Sequence, residues 1–352
     1  MSSLRGQDNR PLMLRAKAPL RISFAGGGTD IPFYYKECGG AVLASTIDRY
    51  THITACPHYG DRVVTISSLD FDLSVKYHLE QEPIYDGTLD LVKAAARRLV
   101  PDDTMFGLDI YVQSDAPAGS GLGGSSALTI AVAGTLAKLF GRDLDRYELA
   151  ELAYEIERVD LEIGGGRQDQ YEIAFGGFNL IEFSSDAIVV NPLRVDAGII
   201  RDLEYHLMLC YTGVTRPSAG IVDQQEKFYR EGRRESIEGL RNLHKLSYEM
   251  KNALLKGRLY DFAEMLNEEW RNKVLANPQV TTELIEEMYA VALANGVIGG
   301  KLLGAGAGGY LLLFTQINKK RQLRETLEKI GGQFMPFSFV DEGLVTWRSG
   351  CP

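Results

Sequence analysis

Short apolar runs rich in β-branched and aromatic residues dominate the first half of the chain. "LRISFAG", "AVLASTI", "YTHITAC", "RVVTISS" and "GLDIYVQ" predict strands. Two stretches carry helical periodicity instead, "TLDLVKAAARRLV" and "RYELAELAYEIERVDLEI". "AFGGFNLIEF" and "AIVVNPL" predict strands again near 174 to 193. The second half changes character. "DLEYHLMLCYTG" reads as a strand ending in a loop, and a long helical region follows from about 219 to 295, broken near Gly257 and Pro278. "GVIGGKLLGAGAGGYLLLFT" predicts a strand, a glycine loop and a second strand. "KKRQLRETLEKIGG" predicts a helix closed by glycines suited to a C-cap, and "FMPFSFVDEGLVTW" predicts a closing hairpin. Strands and helices mix without the strict alternation of a doubly wound sheet, which gives an α+β class. Apolar strands give way to "NPLRVDAGIIRD" near 190 to 200, so the expected division is into residues 1–195 and 196–352.

The length of 352 residues and 45% hydrophobic composition allow a large core and two such units. A formal net charge of -9 argues against a general nucleic-acid or anionic-membrane binder, while leaving room for a local basic pocket. The four cysteines include no CxxC pair and the five histidines no HExxH, so the thiols are expected to be free in a reducing compartment. The start, "MSSLRGQDNRPLM", has no apolar core of a secretory signal, and no apolar run is long enough to span a bilayer. These features predict a soluble, cytoplasmic protein.

One stretch interrupts the ordinary pattern. "DAPAGSGLGGSSA", residues 115 to 127, holds four glycines and three serines directly before the helix former "LTIAVAGTLAKLF". A glycine loop feeding a helix N-terminus makes an anion site: the first N–H groups lack partners, the dipole is positive there, and glycine lets a phosphate approach the backbone. Ser125 and Ser126 add hydroxyls for phosphate or metal. An ordinary turn with a serine N-cap would look the same. The loop is neither GxxxxGK[ST] nor GxGxxG, so a phosphate site here needs another scaffold.

Two further stretches change the picture. "APLRISFAGGGTD", residues 18 to 30, places Arg21 on a strand that ends in three glycines, Thr29 and Asp30. "KLLGAGAGGYLLLF", residues 301 to 314, joins two strands through glycines. In this order the three stretches resemble the signature motifs of the GHMP small-molecule kinases, which include galactokinase, homoserine kinase and mevalonate kinase. The resemblance runs from about Arg15 to Trp347. It implies a two-part α+β fold, with an N-terminal part like ribosomal protein S5 domain 2 and a ferredoxin-like C-terminal part. ATP and Mg²⁺ are the implied cofactors, and a cleft between the parts is the implied site.

The resemblance also implies roles. The middle motif, here Pro117, Gly119, Ser120, Gly121, Leu122, Gly123, Gly124, Ser125 and Ser126, wraps the ATP phosphates. One extra residue at Gly123–Gly124 distinguishes it from mevalonate-type members, and register against the helix favours Ser126 as the serine facing the metal. Glu157 sits at the edge of a stripe formed by Ala150, Ala153, Tyr154 and Leu161. On its own it reads as a helix glutamate paired with Arg158; by resemblance it matches the family's Mg²⁺ ligand. In "GGGRQDQYEIAFGG", Asp169 matches the aspartate that orients or deprotonates the substrate hydroxyl, and Arg21 matches the basic residue that balances it. An ordinary structural ion pair is the other reading of those two.

Thr29 and Asp30 match the sugar-contacting end of the first motif, and Gly166, Gly304 and Gly306 would line the substrate side. "RISFAGGGTDIPFYY" and "CYTGVTRPSAGIV" resemble the heptose-kinase branch, which phosphorylates D-glycero-D-manno-heptose 7-phosphate at the anomeric oxygen. A fucokinase- or galactokinase-like free-sugar kinase, or a non-catalytic sugar and nucleotide binder, are the alternatives. A sugar phosphate needs cations, and Arg167 and Arg216 are the expected clamps unless they are surface arginines, with Lys301 a third choice. The expected partners are therefore a sugar phosphate and ATP, with no nucleic acid or membrane, and an oligomer is open.

Overall fold

The computed structural model describes residues 12–215 and 219–350. Twelve strands and eleven helices are laid out in chain order among them: β1 (Leu12–Ala25), α1 (Pro32–Cys38), β2 (Gly40–His58), β3 (Val63–Ser68), β4 (Leu73–His78), α2 (Asp90–Leu99), β5 (Gly107–Ser114), α3 (Gly124–Leu139), α4 (Arg146–Glu155), α5 (Gln168–Phe175), β6 (Phe178–Phe183), β7 (Ile188–Pro192), α6 (Ala197–His206), β8 (Leu207–Tyr211), α7 (Ala219–Arg230), α8 (Arg234–Leu255), α9 (Leu259–Ala276), α10 (Glu283–Ala294), β9 (Val297–Leu302), β10 (Tyr310–Thr315), α11 (Lys320–Glu328), β11 (Gln333–Met335) and β12 (Val345–Gly350).

The larger sheet runs β12-β1-β2-β5-β3-β4, with β6 beside the start of β2 and β7 beside β6. β2 is long enough to serve two neighbours: Gly40–Ser45 pairs with β6 and Thr51–His58 with β5. The two strands read separately as "AVLASTI" and "YTHITAC" are thus one strand, whose early residues are buried and whose later ones alternate. β1 pairs with β2 along most of its length, with a register break at Pro19, where the ladder loses a donor. α3 is apolar on all sides, as a helix packed among β1, β2, α2, α4 and α5 must be.

The smaller sheet is antiparallel, in the order β11-β8-β10-β9. Alternate residues of β10 enter different cores. Tyr310, Leu312 and Phe314 join the large core shared with β1, β2 and α3, whereas Leu311 and Leu313 pack with α10 and α11. Burial on both faces explains why β10 reads as a continuous apolar run.

Three local expectations give way. "DLEYH" belongs to helix α6, capped by Asp196 on Gly198 N–H, and only "LMLCY" is strand. The long helical region breaks a third time, at Gly232 (φ +71°) between α7 and α8. The closing hairpin does not form: β11 pairs with β8 and β12 with β1, in different sheets. A hairpin would need the strands adjacent, but the larger sheet offers β12 a free edge. Among the described residues no helix is long and apolar enough to cross a membrane. Cys38 and Cys210 are free thiols, and Cys351 lies outside the described residues.

Candidate active site

The three glycine stretches meet around one cavity of about 370 Å³. α3 begins after Gly123, whose φ of +76° makes the turn, and no side chain caps the helix. The serine cap that would have made this an ordinary turn is therefore absent, and the leading N–H groups of α3 open toward the cavity. Gly119, Ser120, Gly121, Gly123, Gly124, Ser125 and Ser126 line it. Pro117 and Leu122 do not: Pro117 O accepts from Ser120 N–H at 3.2 Å, while Leu122 is fully buried and its carbonyl accepts Arg21 N–H at 3.0 Å.

The third motif braces this loop. A Cβ on Gly304 would lie 2.4 Å from Gly121 Cα, so only glycine allows the two backbones to touch. Tyr310 N–H donates to Ser120 O at 3.0 Å, fixing the loop from the β10 side. Gly304 and Gly306 both line the cavity.

Arg21 and Asp169 form a bidentate pair across it. Nε donates to Oδ1 at 2.8 Å and one Nη to Oδ2 at 2.9 Å, while the other Nη donates to the Gly121 carbonyl. Asp169 lies in the first turn of α5, where the helix dipole favours a carboxylate. One turn on, Glu172 is fully buried; desolvation pushes its carboxyl up to about 8, and Asn179 Nδ2 donates to it.

Ser126 Oγ donates to Glu157 Oε2 at 3.1 Å. Glu157 lies in a π-helical turn, Ile156–Asp160, that continues α4. Burial raises its pKa, and its Oε1 is enclosed with no hydrogen-bond partner. Arg158 Nη1 stands 3.4 Å from Oε2, so the arginine neighbour and the serine share this carboxylate. A buried carboxylate oxygen without a donor, beside a hydroxyl, is a hard-oxygen set that suits Mg²⁺.

Asp30 is a hub. Its carboxylate accepts Gly28 N–H and Gln168 N–H, each at 3.0 Å, and its carbonyl accepts Arg167 N–H at 3.2 Å. Burial raises its pKa. It thereby fastens the first motif to the start of α5. Gly166 must be glycine, because a Cβ would come within 1.9 Å of Asp30 Oδ2. Thr29 faces away: its hydroxyl donates to Gly26 O at 2.7 Å and accepts from Ala41 N–H at 3.2 Å, and it does not line the cavity.

The expected clamps divide. Arg167 lies over the Tyr154 ring at 3.7 Å, pairs with Glu151, and is not among the cavity residues. Arg216 lies outside the described residues. Lys301 lines the cavity but is held by Glu269 and the Phe24 carbonyl, both at 3.0 Å. Arg158, named in the sequence only as a partner for Glu157, and Lys273, not named there, line it as well. Lys273 occupies the last turn of α9, where a basic residue reads simply as a match to the helix dipole.

Two family models match the chain: the GHMP kinases N terminal domain over residues 90–177 and the GHMP kinases C terminal domain over 250–333. A D-glycero-alpha-D-manno-heptose 7-phosphate kinase of Campylobacter jejuni is 38% identical over 338 residues, 95% of this chain and 99% of that one. The chain belongs to the GHMP kinases. As a GHMP kinase it has its glycine loop, Glu157 and Asp169 inside the N-terminal match, and Lys273, Lys301 and Gly304 inside the C-terminal one. A D-glycero-D-manno-heptose 1-phosphate kinase from Bacteroides thetaiotaomicron superposes with a TM-score of 0.79 at 32% identity, covering 95% of this chain and 98% of that one. A putative sugar kinase from Campylobacter jejuni gives 0.78 at 37%, covering 96% and 98%. A mevalonate kinase, at 19% identity and a TM-score of 0.73, shares the fold.

Proposed function

We propose that this GHMP kinase moves the γ-phosphoryl group of ATP to the anomeric hydroxyl of D-glycero-D-manno-heptose 7-phosphate. The observation that carries the reading is the bidentate Arg21–Asp169 pair facing the same cavity as the uncapped N-terminus of α3. Its sugar assignment draws on the heptose 7-phosphate kinase that matches over nearly the full length of both chains.

The N–H groups of α3 and its glycine loop hold the nucleotide phosphates. Ser126 and Glu157 would hold Mg²⁺. Among the described residues no group of three or more His, Cys, Asp or Glu side chains could hold a metal alone, so phosphate and water would complete its shell. Bound there, Mg²⁺ supplies charge neutralisation on the phosphate oxygens. Asp30 and the backbone around Gly166 set the sugar beside Asp169. Asp169 accepts the proton of the anomeric hydroxyl as its oxygen bonds to the γ-phosphorus, and the bond to the bridging oxygen of ADP breaks. Arg21 keeps the Asp169 carboxylate in one orientation and stabilises charge on the group in flight.

One observation favours a free-sugar kinase as the second reading: Arg167 is turned toward Glu151 rather than the cavity. Mg²⁺-dependent ADP release over a panel decides between them, using the heptose 7-phosphate, mannose 6-phosphate, fucose, galactose, mevalonate and homoserine. Selective turnover of the heptose phosphate is expected. Preferred turnover of a free sugar overturns the substrate assignment, and nucleotide binding with no turnover overturns the kinase reading.

A further inference from the structure

Among the described residues the cavity is lined by four cations, and three are matched to a carboxylate. Arg21 is held by Asp169 at 2.8 Å, Lys301 by Glu269 at 3.0 Å and Arg158 by Glu157 at 3.4 Å. Lys273 is the exception: among the described residues it has no ion-pair partner. Its ammonium donates to the backbone carbonyls of Leu302, at 3.3 Å, and Gly304. An ammonium has three donors, so one is left over. The side chain is surrounded by protein, yet part of its surface opens into the cavity, where Ala276 of the same helix and Val222 and Gln225 of α7 form the wall. The charged groups around it are Lys301 on β9, Glu269 on its own helix, and Arg21 and Asp30 on and after β1. Glu269 uses Oε1 for both Lys301 and the Gly26 N–H, its buried Oε2 has no hydrogen-bond partner among the described residues and makes no ion pair with Lys273, and both oxygens of Asp30 accept backbone N–H groups.

We propose that Lys273 reads the phosphate that the acceptor sugar already carries, and is the residue that selects a sugar phosphate over a free sugar. This rests on the sugar-phosphate reading above and adds the residue that enforces it. The anchoring carbonyls belong to the third motif, so the ammonium is held at a fixed point on the wall built by the C-terminal half, beside the Gly304–Gly121 contact with the glycine loop. A phosphate ester placed there supplies the counter-charge that the protein withholds. Without it, burial and the nearby Lys301 pull the Lys273 pKa down to about 7. A bound phosphate pulls it back up, so binding takes up a proton in mildly alkaline solution. A free sugar brings no such charge and leaves the ammonium unmatched.

The test uses the full chain, ATP and D-glycero-D-manno-heptose 7-phosphate, with Lys273→Met and Lys273→Arg. In Lys273→Met the KM for the sugar phosphate is expected to rise about 30-fold, the size of one lost charged hydrogen bond, with kcat and the KM for ATP little changed. Lys273→Arg is expected to recover most of that loss. Calorimetry at pH 8 in two buffers of different ionisation enthalpy is expected to show proton uptake when the sugar phosphate binds wild type, and none with Lys273→Met. An unchanged sugar-phosphate KM overturns the proposal. So does a parallel rise in the KM for ATP, which would mean that Lys273 merely holds the third motif in place. The wild-type calorimetry needs no variant, and absence of proton uptake there counts against the proposal even if Lys273→Met fails to fold. If wild type turns over free heptose as well as its phosphate, the substrate reading itself has failed; that result is separate from a sugar-phosphate-specific wild type with an indifferent Lys273→Met.

Discussion

Two glycine-rich stretches of similar composition do opposite work here. Where the first of them opens α3, glycine keeps side chains out of the cavity: Gly124 has no neighbour within 4 Å of where a Cβ would sit. In the stretch between β9 and β10, glycine keeps side chains out of the way of the protein itself: Gly304 touches Gly121. One loop is a surface and the other its support. Composition does not separate them, because in both cases the demand is for missing side chains.

The largest effect separates both loops from the chemistry. Asp169→Asn keeps the shape beside Arg21 but removes the proton acceptor, and kcat is expected to fall by about a thousandfold. Nucleotide affinity, measured by fluorescence titration, is expected to stay within about threefold of wild type, because the loops are untouched. A matched loss of affinity would mean that Asp169 supports the loop rather than the reaction.

Next come the loops themselves. Gly304→Ala forces a Cβ onto Gly121 at a backbone φ of +69°, and is expected to cost about 1–3 kcal/mol of stability together with nucleotide affinity. Gly124→Ala should leave thermal stability within about 0.5 kcal/mol, since the position is open and alanine suits a helix, yet weaken nucleotide binding about tenfold. Measured side by side, the two variants break the comparison if Gly124→Ala melts early or Gly304→Ala does not.

The last effect, on stability and its pH dependence, lies under Asp169. Glu172 has a folded pKa raised from 4.5 to about 8, so between those values the folded chain holds a proton that the unfolded chain has lost. Its contribution to stability is therefore complete below about pH 4.5 and disappears as pH rises toward about 8. Glu172→Gln mimics the protonated form. It should melt close to wild type near pH 5 and more stably than wild type near pH 8, with the gap widening as pH rises between the two, read from thermal melts across that range. Equal melts at both values would show that Glu172 is ionised throughout.

Much of this site was legible in the sequence because its residues are local to distinctive motifs. Asp169 follows three glycines, Ser126 stands at a glycine-to-helix junction, and Glu157 interrupts an apolar stripe. The structure brings all three, with Arg21, to one cavity. Arg167 shows the limit. Its position beside Asp169 is a fact of sequence, but its direction is set by Glu151 and Tyr154, three residues apart on one face of α4. That spacing was visible, though nothing in the chain said that α4 would lie against the start of α5. Lys273 and the Glu269–Lys301 pair were hidden for a plainer reason. Charged residues on an amphipathic helix read as solvent-facing until the helix is packed, and their partners lie on a strand about 30 residues away. β12 was read as a strand but given the wrong partner: half-exposed and short, it takes its place from β1, far away in the sequence, and not from β11.

That last pairing bears on how the protein is made. Leu12 faces Gly350 and Lys17 faces Val345 across the sheet. During translation the strand that carries Arg21 emerges long before its outer neighbour β12. Until then Leu12–Lys17 is a bare sheet edge on a half-built enzyme, open to pairing with any other strand on a crowded ribosome. The slow step in synthesis of the active protein is then expected to be the docking of β12, and overproduction at high temperature should lose yield to aggregation at that edge.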